Sequence, residues 1–259
     1  MAFGDAAGLK LSSWTLSPWK RLFDALLAGA GLLLSLPLWL AISAAILLED
    51  GRPVLYVQER VGRGGRIFRL YKFRSMVRDA ERHTGAVLAG ANDPRVTRVG
   101  RVLRATAMDE LPQLVNIFLG HMSFVGPRPE RPELVAAIGA LCPGFDLRHL
   151  VRPGLTGPAQ IYGHYESPPQ EKLAHDLAYL QGATFSGDLQ IIARSFLITF
   201  TAQWQARSGH VPPPERGGPH RARRAAGPSH GRVPARVTGA REVGACGRAT
   251  PPRPEGGGS

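Results

Sequence analysis

A run of 24 uncharged residues near the N-terminus constrains this chain more than any other feature. Residues 25–48 read ALLAGAGLLLSLPLWLAISAAILL. As a helix, this run is about 36 Å long and can cross a hydrocarbon core of about 30 Å. It is longer than the apolar region of a cleaved signal peptide, which has about 7–15 residues. The two main alternatives are a helix that spans the membrane and one that enters and leaves on the same side.

Pro37, in the middle of this run, favours the second alternative. Proline lacks the backbone N–H and clashes with the preceding turn, so a kink is expected there, and Ser35 can bond a freed carbonyl. Basic residues flank both ends, with Lys20 and Arg21 before the run and Arg52 after it. A spanning helix usually has its basic excess on one side. We therefore predict a re-entrant helix that is broken at Ser35 and Pro37 and returns to the cytoplasmic face.

The residues after the apolar run predict an α+β fold that is mainly helical. Apolar and polar residues alternate with period two in 53–62 and 66–76, with glycines between them, which predicts a β-hairpin. Residues 78–104 read as a polar, partly helical connection, and 151–163 as extended and turn-rich. Short helices are predicted at 109–118, at 133–141 and twice within 171–204.

The formal net charge of +12 points to an anionic partner, and its distribution is local. Residues 52–104 hold 13 Lys and Arg against four acids, and the last 54 residues hold ten Arg against three Glu. Twenty of those 54 residues are Gly or Pro, so we expect a disordered tail. The predicted divisions are an N-terminal segment (1–19), the membrane helix (20–50), a catalytic domain (51–204) and the tail (205–259).

Asp109 and Glu110 are the first candidates for chemistry. Acids at the start of a helix can simply complement its dipole. However, four arginines lie shortly before the acids in the sequence: Arg95, Arg98, Arg101 and Arg104. An acid pair beside a basic cluster suits a phosphate site that also binds a divalent ion.

Two further motifs carry cations or stiff turns. Lys72 and Arg74, in YKFRSM, would share one face of a strand, where paired cations are often only solvated surface. In SFVGPRP, Gly126 permits close backbone approach, Pro127 stiffens the loop and Arg128 is presented at its tip. Taken alone, the second motif also fits an ordinary surface turn.

The order of these motifs resembles one family. KRLFD, the apolar run with a central Pro, VQERVGRGG, YKFRSM, RVLRATAMDELPQL, SFVGPRP and VRPGLTGPAQI follow one another between about Lys20 and Phe200. This series is similar to the bacterial sugar transferases that are monotopic polyprenyl-phosphate phosphoglycosyl transferases, in the short form that holds only the catalytic module. Ala107 and Leu36 depart from the family pattern, which commonly has serine at both positions.

The resemblance implies a reaction and a set of residues. Members transfer a phospho-sugar from a UDP-sugar to undecaprenyl phosphate, release UMP and need Mg²⁺. Asp109 matches the nucleophile that forms an aspartyl-phosphosugar intermediate, and Glu110 the second catalytic acid; both match the metal site. Phosphate or substrate contacts are implied for Lys72, Arg74, Arg104, Gly126, Pro127 and Arg128.

The resemblance also implies a location and a process. We expect a protein of the bacterial inner membrane whose catalytic domain faces the cytoplasm, with the hairpin and short helices at the membrane face. It would perform the first membrane step of exopolysaccharide, lipopolysaccharide or glycoconjugate synthesis, and a homodimer is compatible with the sequence.

The alternative is a membrane-tethered basic protein that binds nucleic acid or anionic lipid without catalysis. Nucleic acid is disfavoured because the basic stretch has few aromatic residues at stacking spacing and no recognisable module.

Overall fold

A long apolar helix and a small helical body with a β-hairpin make up the fold seen in the computed structural model. The structure describes residues 8–80, 82, 93–163 and 167–200, so the predicted disordered tail lies outside the described residues. The helices are α1 (Ser13–Leu16), α2 (Pro18–Asp50), α3 (Arg98–Ala105), α4 (Gln113–Leu119), α5 (Pro132–Leu141), α6 (Pro158–Ile161), α7 (Pro169–Gly182) and α8 (Phe185–Phe200). The strands are β1 (Leu55–Val61), β2 (Ile67–Phe73), β3 (Ser123–Val125) and β4 (Gly154–Thr156).

The strands form two small sheets. β1 and β2 pair antiparallel, with Leu55 opposite Phe73 and Val61 opposite Ile67, which confirms the predicted hairpin. Its turn at Arg63–Gly65 includes two glycines with positive φ, a conformation that suits a residue without a side chain. β3 and β4 pair in parallel, a contact between distant segments that alternation in the sequence does not indicate. The prediction of 151–163 as extended is wrong at α6, because Pro158 begins a helical turn there.

α2 contains 33 residues and is therefore about 50 Å long if straight. Among the described residues it is the one helix long and apolar enough to cross a membrane. The predicted break at Ser35 and Pro37 does not interrupt the helix, which continues through Pro37. The Ser35 hydroxyl donates to the Leu32 carbonyl at 3.3 Å. The carbonyl that Pro37 leaves without its usual partner is that of Leu33, so Ser35 does not make the predicted bond.

Both ends of α2 contact the body of the protein, which here means the elements from β1 to α8. Near its start, Lys20 forms a buried ion pair with Asp188 of α8 at 2.5 Å, and Asp24 accepts the Phe124 N–H at 3.1 Å. At its end, the Glu49 carboxylate accepts the backbone N–H groups of Arg98 and Val99 in α3 at 2.7 and 2.8 Å. Lys20, one of the basic residues before the apolar run, is therefore paired with an acid of the protein itself.

The opposite side of α2 is apolar and uncovered. Ala28, Ile42 and Ile46 are buried against the body. A set of leucines points away from it: Leu26, Leu33, Leu34, Leu36, Leu40 and Leu48. A row of large exposed apolar side chains along a single helix suits contact with lipid or with another apolar surface.

Candidate active site

Asp109 and Glu110 lie in a 3-10 turn, Met108–Glu110, between α3 and α4. The sequence predicted that a helix begins at Asp109, but α4 begins at Gln113, so both acids precede it. The acids therefore lie in a 3-10 turn that leads into α4 and not in the first turn of α4 itself. Ala107, directly before the turn, has φ of 54°, a left-handed conformation that is uncommon for a residue other than glycine.

The hairpin and the SFVGPRP loop each bring a cation to Glu110. The Lys72 ammonium, from β2, donates to Glu110 Oε1 at 2.7 Å. The Arg128 guanidinium donates to the same oxygen at 3.3 Å. Glu110 is thus bonded by two distant parts of the chain, β2 and the SFVGPRP loop. Lys72 and Arg128 are 38 and 18 residues away from it in sequence. The structure brings together three of the residues that the sequence singled out.

Asp109 has a different environment from its neighbour. Its closest cation is the Lys72 ammonium, 4.0 Å from Oδ2, and no hydrogen bond from the described residues reaches its carboxylate. Burial raises the pKa of Asp109 above its ordinary value, against the opposing charges of Lys72 and Arg104. Burial also acts to raise the pKa of Glu110, but Lys72 and Arg128 outweigh it, so that pKa lies well below its ordinary value. Of the two acids, Asp109 therefore has the higher pKa, and no described residue donates a hydrogen bond to its carboxylate.

The chemistry of the acid pair fits a magnesium ion. Mg²⁺ in phosphate-transfer sites is typically held by one or two carboxylates together with substrate phosphates. Asp109 and Glu110 supply such carboxylates at one place. Among the described residues no group of three His, Cys, Asp or Glu side chains could hold a metal on its own. Phosphate oxygens of a substrate would therefore have to complete the coordination.

Arg104 and Arg74 are positioned differently from each other. Arg104 is in the last turn of α3 and close enough for its charge to stabilise the ionised form of Asp109. Arg74 follows the end of β2 and is buried. Its guanidinium donates to the carbonyls of Asp50 and Gly51 at 2.9 and 2.7 Å, at the C-terminal end of α2. A phosphate contact by Arg74 stays a prediction.

Gly126 and Pro127 shape the loop that carries Arg128. A Cβ on Gly126 would lie 2.5 Å from the Arg152 carbonyl oxygen, so only glycine fits beside the segment that leads into β4. The Gly126 N–H donates to Thr156 and the Pro127 carbonyl accepts from Gly154, at 3.0 and 2.9 Å. The close backbone approach predicted at Gly126 is therefore made with the protein's own chain.

Asn116 is a residue of the site that the sequence analysis missed. It is fully buried in α4, where its amide accepts the Tyr71 N–H at 3.0 Å and donates to the Arg69 carbonyl at 2.7 Å. These bonds hold β2, and with it Lys72, against the helix that follows the acid pair. The sequence could have indicated a role for Asn116, because it is the one polar residue within 114–118.

Comparison with known proteins identifies a family. The family model described as bacterial sugar transferase matches residues 15–202, which covers nearly all of the described structure. The chain is also 39% identical over 181 residues to the exopolysaccharide production protein PSS of Rhizobium leguminosarum bv. phaseoli. That alignment covers 67% of this chain and 90% of the relative.

Two other relatives are matched over a smaller part of their length. One is the UDP-N-acetylgalactosamine-undecaprenyl-phosphate N-acetylgalactosaminephosphotransferase of Aeromonas hydrophila, 41% identical over 185 residues, or 70% of this chain and 44% of that protein. The other is the UDP-glucose:undecaprenyl-phosphate glucose-1-phosphate transferase of Klebsiella pneumoniae, 40% identical over 186 residues, or 70% of this chain and 39% of that protein. The chain thus spans less than half the length of these two relatives.

Proposed function

This chain belongs to the bacterial sugar transferase family, and we propose that it transfers a sugar 1-phosphate from a UDP-sugar to undecaprenyl phosphate. The relatives from Aeromonas hydrophila and Klebsiella pneumoniae are named for transfer to undecaprenyl phosphate, which supports the proposal. The observation that carries the proposal is that Lys72 and Arg128 both contact Glu110, directly beside the half-buried Asp109. A non-catalytic basic binding protein would have no use for a half-buried acid pair whose pKa values shift in opposite directions.

In the proposed first step, an Asp109 oxygen attacks the phosphorus that bears the sugar. The bond from this phosphorus to the bridging oxygen breaks, and UMP leaves with that oxygen and the electron pair. In the second step, an oxygen of undecaprenyl phosphate attacks the same phosphorus and releases the Asp109 carboxylate. Covalent catalysis of this kind divides one difficult transfer into two easier ones.

The raised pKa of Asp109 supports its role as the nucleophile. A more basic carboxylate attacks phosphorus more readily, and no donor from the described residues has to be displaced from it. Glu110 stays ionised because Lys72 and Arg128 lower its pKa, and its carboxylate would be a ligand of the metal. Arg104 and Arg128 are placed to neutralise charge on phosphate oxygens, which is the main contribution of a protein to phosphoryl transfer. A bound Mg²⁺, held by Asp109 and Glu110, would supply further charge neutralisation at the same oxygens.

The proposed location is the inner membrane, with the body at its cytoplasmic face. Both ends of α2 bind the body through polar contacts, at Lys20 and Asp24 on one end and at Glu49 on the other. Contacts of both helix ends with one body favour a topology in which both ends of α2 lie on the same side of the membrane. The exposed leucines between the two anchors support insertion into one leaflet, as a re-entrant helix does.

Turnover with a panel of donors tests the proposal. Detergent-solubilised protein is incubated with Mg²⁺, undecaprenyl phosphate and each of several UDP-sugars, including UDP-glucose and UDP-N-acetylgalactosamine, and UMP release is followed. We expect UMP and a lipid-linked product with at least one donor. Folded protein that releases no UMP with any donor would refute the proposed function.

A further inference from the structure

The loop that presents Arg128 is fixed at each of its four carbonyls. The Pro127 carbonyl accepts from the Gly154 N–H at 2.9 Å, and the Glu130 carbonyl from the Val61 N–H at 3.0 Å. The two carbonyls between them accept from arginine side chains. Arg148 donates to Arg128 O at 3.1 Å, and Arg60 donates to Pro129 O at 2.9 Å.

Arg148 is buried, and among the described residues one carboxylate lies within 3 Å of its guanidinium. It lies in the 3-10 turn Phe145–Leu150, with 4% of its side chain exposed, above the Phe145 ring. The Asp176 carboxylate of α7, 1% exposed, is 2.8 Å from the same guanidinium nitrogen that reaches the loop. Glu130, within the loop, is farther away at 4.0 Å. Taking a guanidinium out of water is costly, and Asp176 offsets that cost.

We propose that Arg148, held by Asp176, is a positioning residue that orients Arg128 toward the phosphates of the nucleotide sugar. A buried ion pair contributes little net stability compared with a well-packed apolar pair. An apolar pair, however, would leave the Arg128 carbonyl without this donor. The Arg128 backbone could then turn between the two stiff prolines and move the Arg128 side chain away from Glu110. The inference rests on the proposed function for the identity of the ligand.

A merely structural role would give a different result from a positioning role. If Arg148 only fastens the 145–150 turn to α7, its loss lowers stability and the active fraction but not the affinity of the active molecules for nucleotide. If it acts through Arg128, its loss weakens nucleotide binding, and this effect disappears once the Arg128 side chain is gone. A double-mutant cycle separates the two cases.

The cycle uses wild type, Arg128→Ala, Arg148→Gln and the double variant. Titration calorimetry with UDP and Mg²⁺ gives a readout that needs no turnover, and the KM for the UDP-sugar gives a second one. At pH 8 the ion pair is charged, because burial raises the pKa of Asp176 only to about 6 against the charge of Arg148. We expect Arg148→Gln to weaken UDP binding about tenfold in the wild-type background and less than about twofold in the Arg128→Ala background. The KM for undecaprenyl phosphate should stay unchanged.

Two controls make the result specific. Leu173→Ala, on the same helix as Asp176 and buried in a neighbouring apolar cluster, should lower the unfolding temperature without changing UDP affinity. Arg148→Lys, which keeps the charge, should recover part of the affinity. If Arg148→Gln does not purify as a folded protein, Asp176→Asn takes its place in the cycle with the same criterion.

Equal effects of Arg148→Gln in both backgrounds would overturn the positioning role. This failure differs from failure of the proposed function, in which the wild type neither binds UDP nor releases UMP from any donor.

Discussion

Replacing Lys72 with methionine removes the cation nearest to both acids while keeping most of the apolar length of the side chain. The Lys72 ammonium is 2.7 Å from Glu110 and 4.0 Å from Asp109, and its side chain is 20% exposed. Among the charges acting on Asp109, that of Lys72 is the largest that lowers the pKa. The substitution should therefore change the ionisation of the nucleophile in addition to weakening phosphate binding.

The size of the change follows from the distance. An opposite charge within about 4–6 Å typically shifts a carboxyl pKa by about 1–3 units, and one unit corresponds to about 1.4 kcal/mol. The pKa of Asp109 is already raised to about 6 by burial, so it should reach about 7–9 in the variant. Attack requires the ionised form, so activity is present above this pKa and is lost as the pH falls through it. At pH 7, ionisation alone then predicts a loss of about 2- to 100-fold.

The pH dependence of kcat/KM for UMP release is the appropriate measurement, since it reports the ionisation of the free enzyme. The wild type should lose activity below about pH 6. Lys72→Met should lose it 1–3 pH units higher, by the same reasoning, and recover part of its activity at alkaline pH. Arg69→Met removes an exposed cation from the same strand and should leave the midpoint unchanged. A Lys72→Met profile that is lower at every pH but has the wild-type midpoint would refute the electrostatic reasoning.

Three further predictions concern the fold, the membrane and the metal. Asn116→Ala should lower stability by about 2–4 kcal/mol, seen as a lower unfolding temperature in detergent, because two partly buried backbone groups of β2 lose their bonds to the buried amide; an unchanged temperature would contradict this. Single cysteines at Lys10 and Arg63, with Cys142 and Cys246 replaced by serine, should be labelled from the same side of the membrane, whereas labelling from opposite sides would establish a spanning helix. EDTA should abolish UMP release and added Mg²⁺ should restore it; full activity in EDTA would exclude the metal role.

The sequence predicted the parts of the fold that depend on local pattern. Alternation of apolar and polar residues located the hairpin, and helical spacing located α5, α7 and α8. It misplaced the start of α4, because the apolar residues of 111–118 fit a helix with Pro112 in its first turn. Instead, the chain takes a left-handed conformation at Ala107 and continues through a 3-10 turn before α4, and no residue pattern indicates either feature.

The candidate site was predictable to the extent that its residues carry charge in recognisable motifs. Asp109, Glu110, Lys72 and Arg128 come together as the motifs indicated. The residues that hold them in place were not visible, because their function is set by contacts across the fold. Arg148, for example, acts on a loop 20 positions away and relies on a carboxylate from α7. No spacing within the sequence encodes such a contact.

The most direct test of the central claim is the capture of a sugar phosphate on Asp109. Wild-type protein is mixed with the UDP-sugar that supports turnover and with Mg²⁺, without lipid acceptor, quenched rapidly and measured by intact-protein and peptide mass spectrometry. We predict a mass increase of one sugar phosphate, located on Asp109, lost on addition of undecaprenyl phosphate and absent in Asp109→Asn. An active wild type without any adduct, an adduct on another residue, or substantial turnover by Asp109→Asn would contradict the account.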